Sequence, residues 1–537
     1  MPRQVLVVSG PVSSGKSTLC DSLADRFNVV HFKTRQLLLA LYPEVAAERK
    51  AMQELGDQLD KRTRGGWVRD GLDRKIRDEH LPDDAIVVVD AVRIPGQVHA
   101  LRKAYGSARV THIHLHAPNK ELARRYANRP HEGVRELPSY REVTKNITES
   151  KVPLLETIAD IVIDTHRCTK KDVMVKTASR LGLYGRECVR LVDVIVGGQY
   201  GSEGKGHIAS HLAPEYDVLV RVGGPNAGHT VFSDKPFTFH HLPSGSMKAP
   251  NAHLVIGPGA TIYVPELIRE VGELGISCER LSVDPQTMVI SDADRRSEID
   301  LVHGIGSTGR GVGAAAARRI RHRLPGKVKL AKDQRVLRPF LREACERFED
   351  AFRVGRRVLL EGTQGACLSL YHGSYPFVTS RDTTVAGCLA EAGISASRTR
   401  KVIMVCRSYP IRVQSPSDGS SGEMAREIRW GEVEWRSGLP RGSLSKKELT
   451  STTKRERRVG EFEWDGLRKA ASLNAPTDVA LTFLDYIDKR NKKARRFEQL
   501  TPESIRFVEE VECVAAAPVS IISTRFDYRS IIDRRAW

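Results

Sequence analysis

The sequence predicts an α/β fold of two units: a smaller N-terminal parallel sheet with helices on both faces, and a larger C-terminal α/β unit. Three observations support this prediction. Strand-like apolar runs alternate with longer amphipathic segments through nearly the whole chain. Twice, at residues 4–17 and 191–206, such a run leads directly into a glycine-rich loop and a helical stretch. Between them, residues 177–190 are polar and punctuated by glycine. We therefore predict domains at 1–176 and 191–537, joined by a linker at 177–190.

The composition is typical of a folded protein, with 40% hydrophobic and 28% charged residues. No stretch reaches the roughly 18 consecutive apolar residues that a membrane span needs. The first apolar run ends in a glycine-rich loop and not at a cleavage site, so we expect no export signal. The nine cysteines are scattered without a Cys-x-x-Cys pair, which is typical of reduced thiols. We expect a cytoplasmic protein.

The chain carries 85 basic and 66 acidic residues, a formal net charge of +19. This balance favours phosphate-bearing partners, either nucleotides or nucleic acid. The basic runs that would serve nucleic acid, such as residues 489–496, are more often solvated helix faces. We therefore expect small phosphorylated substrates, and neither a nucleic acid nor a membrane partner.

The first glycine-rich loop, GPVSSGKS at residues 10–17, lies between a predicted strand and a predicted helix. In such a loop the glycines turn backbone N–H groups toward phosphates. Lys16 would reach the terminal phosphates, and the Ser17 hydroxyl would ligate Mg²⁺. Asp90 follows a strand predicted over 85–89, where a ligand of Mg²⁺-bound water is expected. The residues predicted to bind ATP in this half are Gly10, Gly15, Lys16, Ser17, Thr18 and Asp90.

A helix predicted over residues 119–129 carries Arg124, Arg125 and Arg129, which would either neutralise a transferring phosphate or lie on a solvated face. A last strand is predicted over 159–165. Roughly the first 175 residues resemble the P-loop kinases of the adenylate kinase and dephospho-CoA kinase type. The resemblance implies ATP-dependent phosphoryl transfer to a small nucleotide-like acceptor. The candidates for holding that acceptor are Arg35, Asp70 and Arg93.

The second half carries a longer series of motifs. It begins with GGQYGSEGKG at 197–206 and RVGGPNAGHTV at 221–231. The later ones are FHHLPSG (239–245), STGRGVG (307–313), EGTQG (361–365), HGSYPFVTS (372–380), TTKRERR (452–458) and LDYID (484–488). In this order they resemble the motifs of adenylosuccinate synthetase, the purine-biosynthesis ligase that joins aspartate to IMP using GTP. The resemblance runs from residue 191 almost to the end of the chain, and it implies a homodimer.

The resemblance also implies the chemistry and the residues of the site. The γ-phosphoryl group of GTP moves to the 6-oxygen of IMP, and the amino group of aspartate then displaces it. Lys205 would be the cation of the phosphate loop, His229 the acid at the 6-oxygen and γ-phosphoryl group, and the Gly228 carbonyl a ligand of Mg²⁺. The implied donor-nucleotide residues are Gly201, Ser202, Glu203, Gly204, Lys205, Gly206, His207, Gly228, His229, Thr230, Arg457, Asp485 and Ser523.

Two further sets follow from the same resemblance. The purine monophosphate residues would be Asn226, Thr308, Arg318, Gln364, Thr379 and Arg455. Arg318, with Arg319 as its rival, would reach into the neighbouring subunit's site. The aspartate residues would be Thr452, Thr453, Arg455 and Arg457. Guanidinium groups suit this role because their paired N–H groups match the two oxygens of a carboxylate.

Ser202 stands where the family carries an aspartate that takes the N1 proton of the purine. A serine hydroxyl is not an effective base without assistance. One alternative is that another group, with Glu203 a candidate, takes this role for IMP. A second is that the substrate has changed, because a hydroxyl leaves room for the 2-amino group of guanine and accepts its hydrogen bond. The aminoadenylosuccinate synthetases, a branch that accepts dGMP, carry serine or glycine here. A third is an inactive nucleotide sensor or scaffold.

The positions that read the donor base also differ from the family. Its Lys-Leu-Asp is Phe483-Leu484-Asp485 in this chain, and its Ser-Val-Gly is Ser523-Thr524-Arg525. Asp485 retains the carboxylate that accepts from guanine, whereas Arg525 replaces a glycine at which the backbone approaches the base. ATP is therefore a second candidate donor beside GTP.

Overall fold

The computed structural model describes residues 2–43, 48–128, 137–184, 188–231, 236–417, 419–445, 447–449, 456–525 and 527–537. The chain divides into two compact units, Met1–Arg186 and Glu187–Trp537. The helix Lys170–Arg180 continues through the start of the predicted linker, and Leu181, Leu183 and Tyr184 pack on the core of the first unit. Residues 177–184 therefore belong to the first unit, because their apolar side chains are used in its core.

The first unit is a five-stranded parallel sheet in the order β2-β3-β1-β4-β5. The strands are β1 (Gln4–Ser9), β2 (Val30–Phe32), β3 (Ile86–Val92), β4 (Val110–His116) and β5 (Ile161–Asp164). The helices are α1 (Lys16–Phe27), α2 (Thr34–Leu41), α3 (Arg49–Thr63), α4 (Gly66–Asp78), α5 (Pro95–Tyr105), α6 (Asn119–Ala127), α7 (Tyr140–Val143), α8 (Ile147–Lys151) and α9 (Lys170–Arg180). Val5 and Val7 join one apolar cluster, and Leu6 and Val8 join another. Successive strand residues face opposite sides of a sheet, so these two clusters lie on opposite faces. Both faces of the sheet are therefore covered by helices.

The second unit is built on a nine-stranded sheet in the order β12-β10-β7-β14-β6-β15-β19-β20-β21, in which β21 pairs antiparallel to β20 and the other neighbours are parallel. The strands of this unit are β6 (Val192–Gly197), β7 (Val218–Arg221), β8 (His229–Val231), β9 (Phe237–Phe239), β10 (His253–Ile256), β11 (Thr261–Ile262), β12 (Leu281–Val283), β13 (Met288–Val289), β14 (Val358–Glu361), β15 (Thr399–Arg407), β16 (Ile411–Val413), β17 (Glu427–Ile428), β18 (Arg457–Gly460), β19 (Asp478–Thr482), β20 (Val519–Ser523) and β21 (Ile531–Asp533).

The helices of the second unit pack around this sheet. They are α10 (Lys205–Leu212), α11 (Val264–Glu273), α12 (Asp292–Ser297), α13 (Ile299–Ile305), α14 (Val312–Arg321), α15 (Ala344–Arg353), α16 (Val385–Ala392), α17 (Trp430–Ser437), α18 (Trp464–Asn474) and α19 (Pro502–Ala515). The α/β prediction is confirmed for both units. A membrane crossing would need a longer and more apolar helix than any in the described part of the chain.

The sheet places the functional side chains of the second unit at one edge. Six neighbouring parallel strands, β7, β14, β6, β15, β19 and β20, end at Arg221, Glu361, Gly197, Arg407, Thr482 and Ser523. The carboxyl ends of parallel strands meet at the same edge of a sheet, which is where ligands bind in open α/β folds. Segments that are distant in the sequence therefore converge around the loop that follows β6.

Candidate active site

The phosphate loop of the second unit runs from β6 to α10 and depends on glycines with left-handed backbones. Gly201 has a φ of +96° and Gly204 a φ of +91°, a conformation that other residues rarely adopt. A Cβ atom on Gly201 would lie 2.9 Å from the Cα atom of Gln364. The glycines thus allow both the turn and the close approach of the segment after β14.

Within this loop, Glu203 and Lys205 form a buried ion pair. Lys205 Nζ lies 2.6 Å from Glu203 Oε2, and each side chain is 1% exposed. Glu203 Oε1 accepts from the backbone N–H groups of Gln199 at 3.0 Å and Gly201 at 2.7 Å. Both carboxylate oxygens are therefore used inside the loop. This arrangement is unfavourable for Glu203 as a replacement base, because abstracting a proton would require it to leave Lys205 and two amides.

Ser202 directly precedes Glu203 in the loop and is half-buried. Its backbone carbonyl accepts from Arg407 NH1 at 3.2 Å, which ties the loop to the end of β15. The neighbouring carboxylate of Glu203 is held by its own contacts, so the side chain that this position offers to a ligand is a hydroxyl.

His229, the first residue of β8, belongs to a buried cluster beside the phosphate loop. Its Nδ1 contacts Glu361 Oε1, which also accepts from Ser244 Oγ at 2.5 Å and lies 3.3 Å from Arg221 NH1. The Nε2 atom of His229 is buried and has no hydrogen-bond partner among the described residues. A Cβ atom on Gly206 would lie 2.7 Å from the Cβ atom of His229, so the first turn of α10 lies against the ring.

The charges in this cluster decide the protonation of the imidazole. Burial lowers the pKa of His229 to about 4, with help from the positive charge of Arg221 and against the attraction of Glu361. Burial alone would raise the pKa of Glu361, but Arg221 and His229 outweigh it and lower the pKa to about 2. At neutral pH the ring is therefore neutral, with its proton on Nδ1 facing the carboxylate and a lone pair on Nε2.

The predicted purine monophosphate residues are brought together in part. Asn226 Oδ1 accepts from Gln364 Nε2 at 2.9 Å, and Gln364 borders Gly201 of the phosphate loop. Thr308 and Thr379 are half-buried, and no hydrogen bond among the described residues joins either of them to this pair. Arg455 lies outside the described residues, as do Thr452 and Thr453 of the predicted aspartate site.

Arg318 makes its contacts within its own unit. Its Nε lies 2.9 Å from Asp294 Oδ1 and its NH2 2.6 Å from Asp294 Oδ2. Arg319 NH1 donates to the carbonyl of Gln286 at 2.9 Å. The predicted role of Arg318 in a neighbouring subunit's site stays a prediction.

The predicted base-reading residues follow the neighbouring strands β19 and β20. Asp485 is 1% exposed, and burial raises its pKa to about 6. Within the described part of the chain, its Oδ1 has no hydrogen-bond partner. Ser523 Oγ donates to the carbonyl of Arg525 at 2.8 Å. Arg525 NH2 lies 3.0 Å from Asp527 Oδ2, whereas its buried Nε meets no acceptor in the described ranges. An acceptor and a donor are thus left for a ligand at the ends of adjacent strands.

Sequence reasoning missed two charged residues beside the predicted clamp Arg457. Arg457 NH1 lies 3.3 Å from Glu448 Oε2, and Arg407 NH2 lies 3.0 Å from Glu448 Oε1. Arg407 and Glu448 fall outside the motifs that carry the resemblance, so only their convergence in space reveals them.

The first unit has its own phosphate loop, which Lys16 closes. Lys16 Nζ donates to the carbonyls of Gly10 at 2.6 Å and Pro11 at 2.8 Å, and Gly15 has a φ of +97°. Ser17 is exposed at the start of α1. Asp90 lies within β3 and not after the strand as predicted, because the strand continues to Val92. Its Oδ1 accepts from the backbone N–H and hydroxyl of Thr34 at 2.9 and 3.1 Å.

A cavity of about 1160 Å³ extends from this loop. Arg35, Arg93, Arg124 and Arg125 line it, together with Glu149. Asp70 does not contribute to the lining: it is exposed and paired with Arg69, because α4 turns it away. Arg124 and Arg125 both pair with Glu121, and Arg129 lies outside the described residues.

Comparison with known proteins identifies the second unit. The sequence model of adenylosuccinate synthetase matches residues 194–333 and 327–493, which is more than half of the chain. The chain belongs to the adenylosuccinate synthetase family. It is therefore a C–N ligase of the adenylosuccinate synthetase type. A second model, described as an AAA domain, matches residues 6–149, so this family member carries an N-terminal P-loop kinase-like domain.

Relatives match the second unit over nearly their whole length. The adenylosuccinate synthetase of Methanocaldococcus jannaschii is 37% identical to the chain, and that of Pyrococcus sp. is 36% identical. Each match covers 64% of this chain, and the matches cover 96% and 98% of the two relatives, respectively. The fully ligated adenylosuccinate synthetase of Plasmodium falciparum has the same fold, with a TM-score of 0.54 at 22% identity, over 64% of this chain and all of that one. The second solved structure is the cyanophage S-2L succinoaminodeoxyadenylate synthetase (PurZ), bound to dGMP and to dATP as an energy donor. It matches with a TM-score of 0.53 at 27% identity, and the match covers 65% of this chain and 96% of that one.

Proposed function

We propose that the second unit joins L-aspartate to the 6-position of a guanine nucleoside monophosphate, dGMP, with ATP as phosphoryl donor. The observation that carries this proposal is the pair Ser202 and Glu203. The serine leaves space and an acceptor for a 2-amino group, and Glu203 is held by Lys205 and two backbone amides. The similarity to PurZ, which is bound to dGMP and dATP, supports the same choice.

The chain's own residues account for binding and for proton placement. Lys205 and the N–H groups at the start of α10 hold the phosphates of the donor. Glu361 fixes the His229 ring with Nδ1–H toward itself and Nε2 toward the ligand space. A bound phosphoryl group brings negative charge to Nε2 and raises the pKa of the ring, so that it holds a proton where charge develops on the 6-oxygen. The hydroxyl of Ser202 accepts from the 2-amino group and thereby selects guanine.

Mg²⁺ fits the few oxygen ligands that each phosphate-binding site offers. It usually takes only one or two protein oxygens and completes its shell with substrate phosphates and water. The described residues hold no group of three or more His, Cys, Asp or Glu side chains that could bind a metal by themselves. We propose that the Gly228 carbonyl holds the ion in the second unit, and that Ser17 and Asp90 hold it in the first. When bound, Mg²⁺ neutralises charge on the phosphates.

IMP, with GTP as donor, is the second candidate. It is favoured by the 37% identity to an adenylosuccinate synthetase over 96% of that protein's length. Asp485 is compatible with either donor, since its unpartnered Oδ1 accepts from the amino group of adenine or guanine. Arg525 favours ATP, because its side chain occupies a place where the family has a glycine. An inactive sensor is disfavoured by the His229–Glu361 pair, because binding alone does not require an imidazole oriented by a carboxylate.

We further propose that the first unit is an ATP-dependent phosphotransferase, on the support of its phosphate loop and cavity. A homodimer of the chain is supported by two exposed apolar side chains at the end of α14 and beyond it, Ile320 at 72% and Leu324 at 70%. A cytoplasmic location agrees with the nine free cysteines.

The test crosses IMP, GMP and dGMP against ATP and GTP, with aspartate and Mg²⁺, and follows the succino-purine product. We expect product from dGMP with ATP. Product from IMP alone would replace the proposal with the second candidate. Nucleotide binding without product in any pairing would indicate the sensor.

A further inference from the structure

Glu448 is a buried carboxylate in contact with three side chains from three parts of the second unit. Its Oε1 accepts from Arg407 NH2 at 3.0 Å and from the Tyr486 hydroxyl at 2.5 Å, and its Oε2 lies 3.3 Å from Arg457 NH1. Burial would raise the pKa of Glu448, but the charges of Arg407 and Arg457 outweigh burial and lower it to about 2. The group is therefore an anion at neutral pH.

Arg407 connects this carboxylate to the phosphate loop. Its NH1 donates to the Ser202 carbonyl at 3.2 Å, and its backbone N–H donates to Gln199 Oε1 at 3.0 Å. Its guanidinium carbon lies 4.1 Å from the centroid of the Phe483 ring, a stacking arrangement typical of arginine. Arg407 is thus held between Glu448, the Phe483 ring and the phosphate loop, where it contacts the backbone of Ser202.

The ion pairs around Glu448 leave positive charge unmatched. Two guanidinium groups share one carboxylate, and burial lowers the pKa of Arg457 although Glu448 opposes the shift. The two arginines are held unequally: the Arg407 side chain is 1% exposed, whereas that of Arg457 is 18% exposed and has the longer contact. A carboxylate ligand at Arg457 would complete the charge of the cluster while Arg407 stays in place.

We propose that Glu448 is a positioning residue for the ligation: it orients Arg457 so that the outer N–H groups of that guanidinium receive a carboxylate of the incoming amino acid beside the phosphate loop. This inference rests on the proposed function, because it takes an amino acid as second substrate. Glu448 makes no contact with substrate and acts through Arg457. Its link to Arg407 places the amino acid in a fixed relation to Ser202.

The test is Glu448→Gln, which keeps the shape of the side chain and removes its charge. We expect the KM for aspartate to rise about tenfold or more, with kcat and the KM for the purine monophosphate within about threefold, since the charge-assisted contact that orients Arg457 is lost. In an Arg457→Ala background the same change should add nothing to the KM for aspartate, because coupled residues are not additive.

The matched control is Glu434→Gln. Glu434 is also buried, at 3% exposure, but among the residues that the structure describes its carboxylate accepts from the backbone N–H groups of Gly442 and Leu444 and from no side chain. Its substitution should lower Tm and leave the KM for aspartate unchanged. If Glu448→Gln does not fold, Glu448→Asp keeps the charge but withdraws it by one methylene, and it should still raise the KM for aspartate about threefold.

The outcomes separate the two proposals. An active wild type whose Glu448 variants keep the KM for aspartate, or whose effects add to that of Arg457→Ala, overturns the positioning role alone. A folded wild-type chain that forms no succino-purine from any pairing overturns the proposed function together with the inference that rests on it.

Discussion

His229, the first residue of β8, and Glu361, the last residue of β14, contact each other through Nδ1 and Oε1. The carboxylate has a depressed pKa and the imidazole is neutral. The pair thus fixes which nitrogen of the ring faces the ligand.

Replacing Glu361 by Gln should lower kcat by about two to three orders of magnitude, as expected when the partner that orients a catalytic histidine is changed. The KM values should change little, because Glu361 does not face the substrate. Steady-state kinetics check this, and the Tm of the variant controls for folding. A kcat within threefold of the wild type would mean that the ring is oriented by other contacts.

Ser202→Asp should reverse the purine preference. A carboxylate crowds the 2-amino group of guanine, so kcat/KM for dGMP should fall about a hundredfold, while activity with IMP appears or rises. Ser202→Ala is the control, since it keeps the space and loses one hydrogen bond, costing about tenfold with dGMP. If Ser202→Asp leaves the ratio of kcat/KM for dGMP to kcat/KM for IMP unchanged, Ser202 does not select the purine.

Arg525→Gly should improve the use of GTP relative to ATP by about tenfold, a typical value for reopening space at a base-reading position. The guanidinium occupies a position where a glycine lets the backbone approach a guanine base. The measurement is kcat/KM for each donor at saturating dGMP and aspartate. An unchanged donor ratio would show that Asp485 and its surroundings determine the donor without Arg525.

Lys16→Met should abolish nucleotide turnover by the first unit and leave the ligase rate within about twofold, because Lys205 serves a separate phosphate loop. ATP binding and succino-purine formation are measured on the same preparation. Lys205→Met is the reciprocal control, which should remove only the ligase activity. Loss of both activities in either variant would contradict two independent sites.

Acidification should weaken the first unit through His114. Its ring is buried, with Nδ1 2.9 Å from Ser9 Oγ, and burial lowers the pKa of His114 to about 4. The unfolded state takes up this proton near pH 6.5, whereas the folded state takes it up only near pH 4. The free energy of unfolding is therefore unaffected by this group above pH 6.5, and it decreases as the pH falls from 6.5 to 4. At pH 5 this one group lowers the free energy of unfolding of the first unit by about 2 kcal/mol.

His114→Asn keeps a partner for Ser9 and should reduce that loss. Hydrogen exchange of β1 and β4 peptides in urea reports the first unit alone, and comparison with the wild type at equal pH cancels the intrinsic dependence of exchange. Equal losses in both proteins between pH 7 and pH 5 would assign the acid sensitivity to other groups.

The sequence predicts the two sheets and both phosphate loops well, because glycines with left-handed backbones and buried strands leave local signals. Asn226, Gln364 and His229 belong to motifs that the sequence shows, and the fold brings these motifs beside the second loop, whereas their roles stay predictions. Charge pairing could not be read in this way. From the sequence alone Glu203 is a candidate base, whereas in the fold its carboxylate is held by Lys205 and two backbone amides. Arg318 and Asp294, and Arg407 and Glu448, are distant in the chain and meet only in the fold.

The most direct test of the account is the competition of dGMP with IMP for the wild-type chain, with ATP and aspartate, followed by separation of the two succino-purine products. The account predicts product from dGMP in large excess over product from IMP. Product formed mainly from IMP would contradict it, and Ser202 would then need a replacement base other than Glu203.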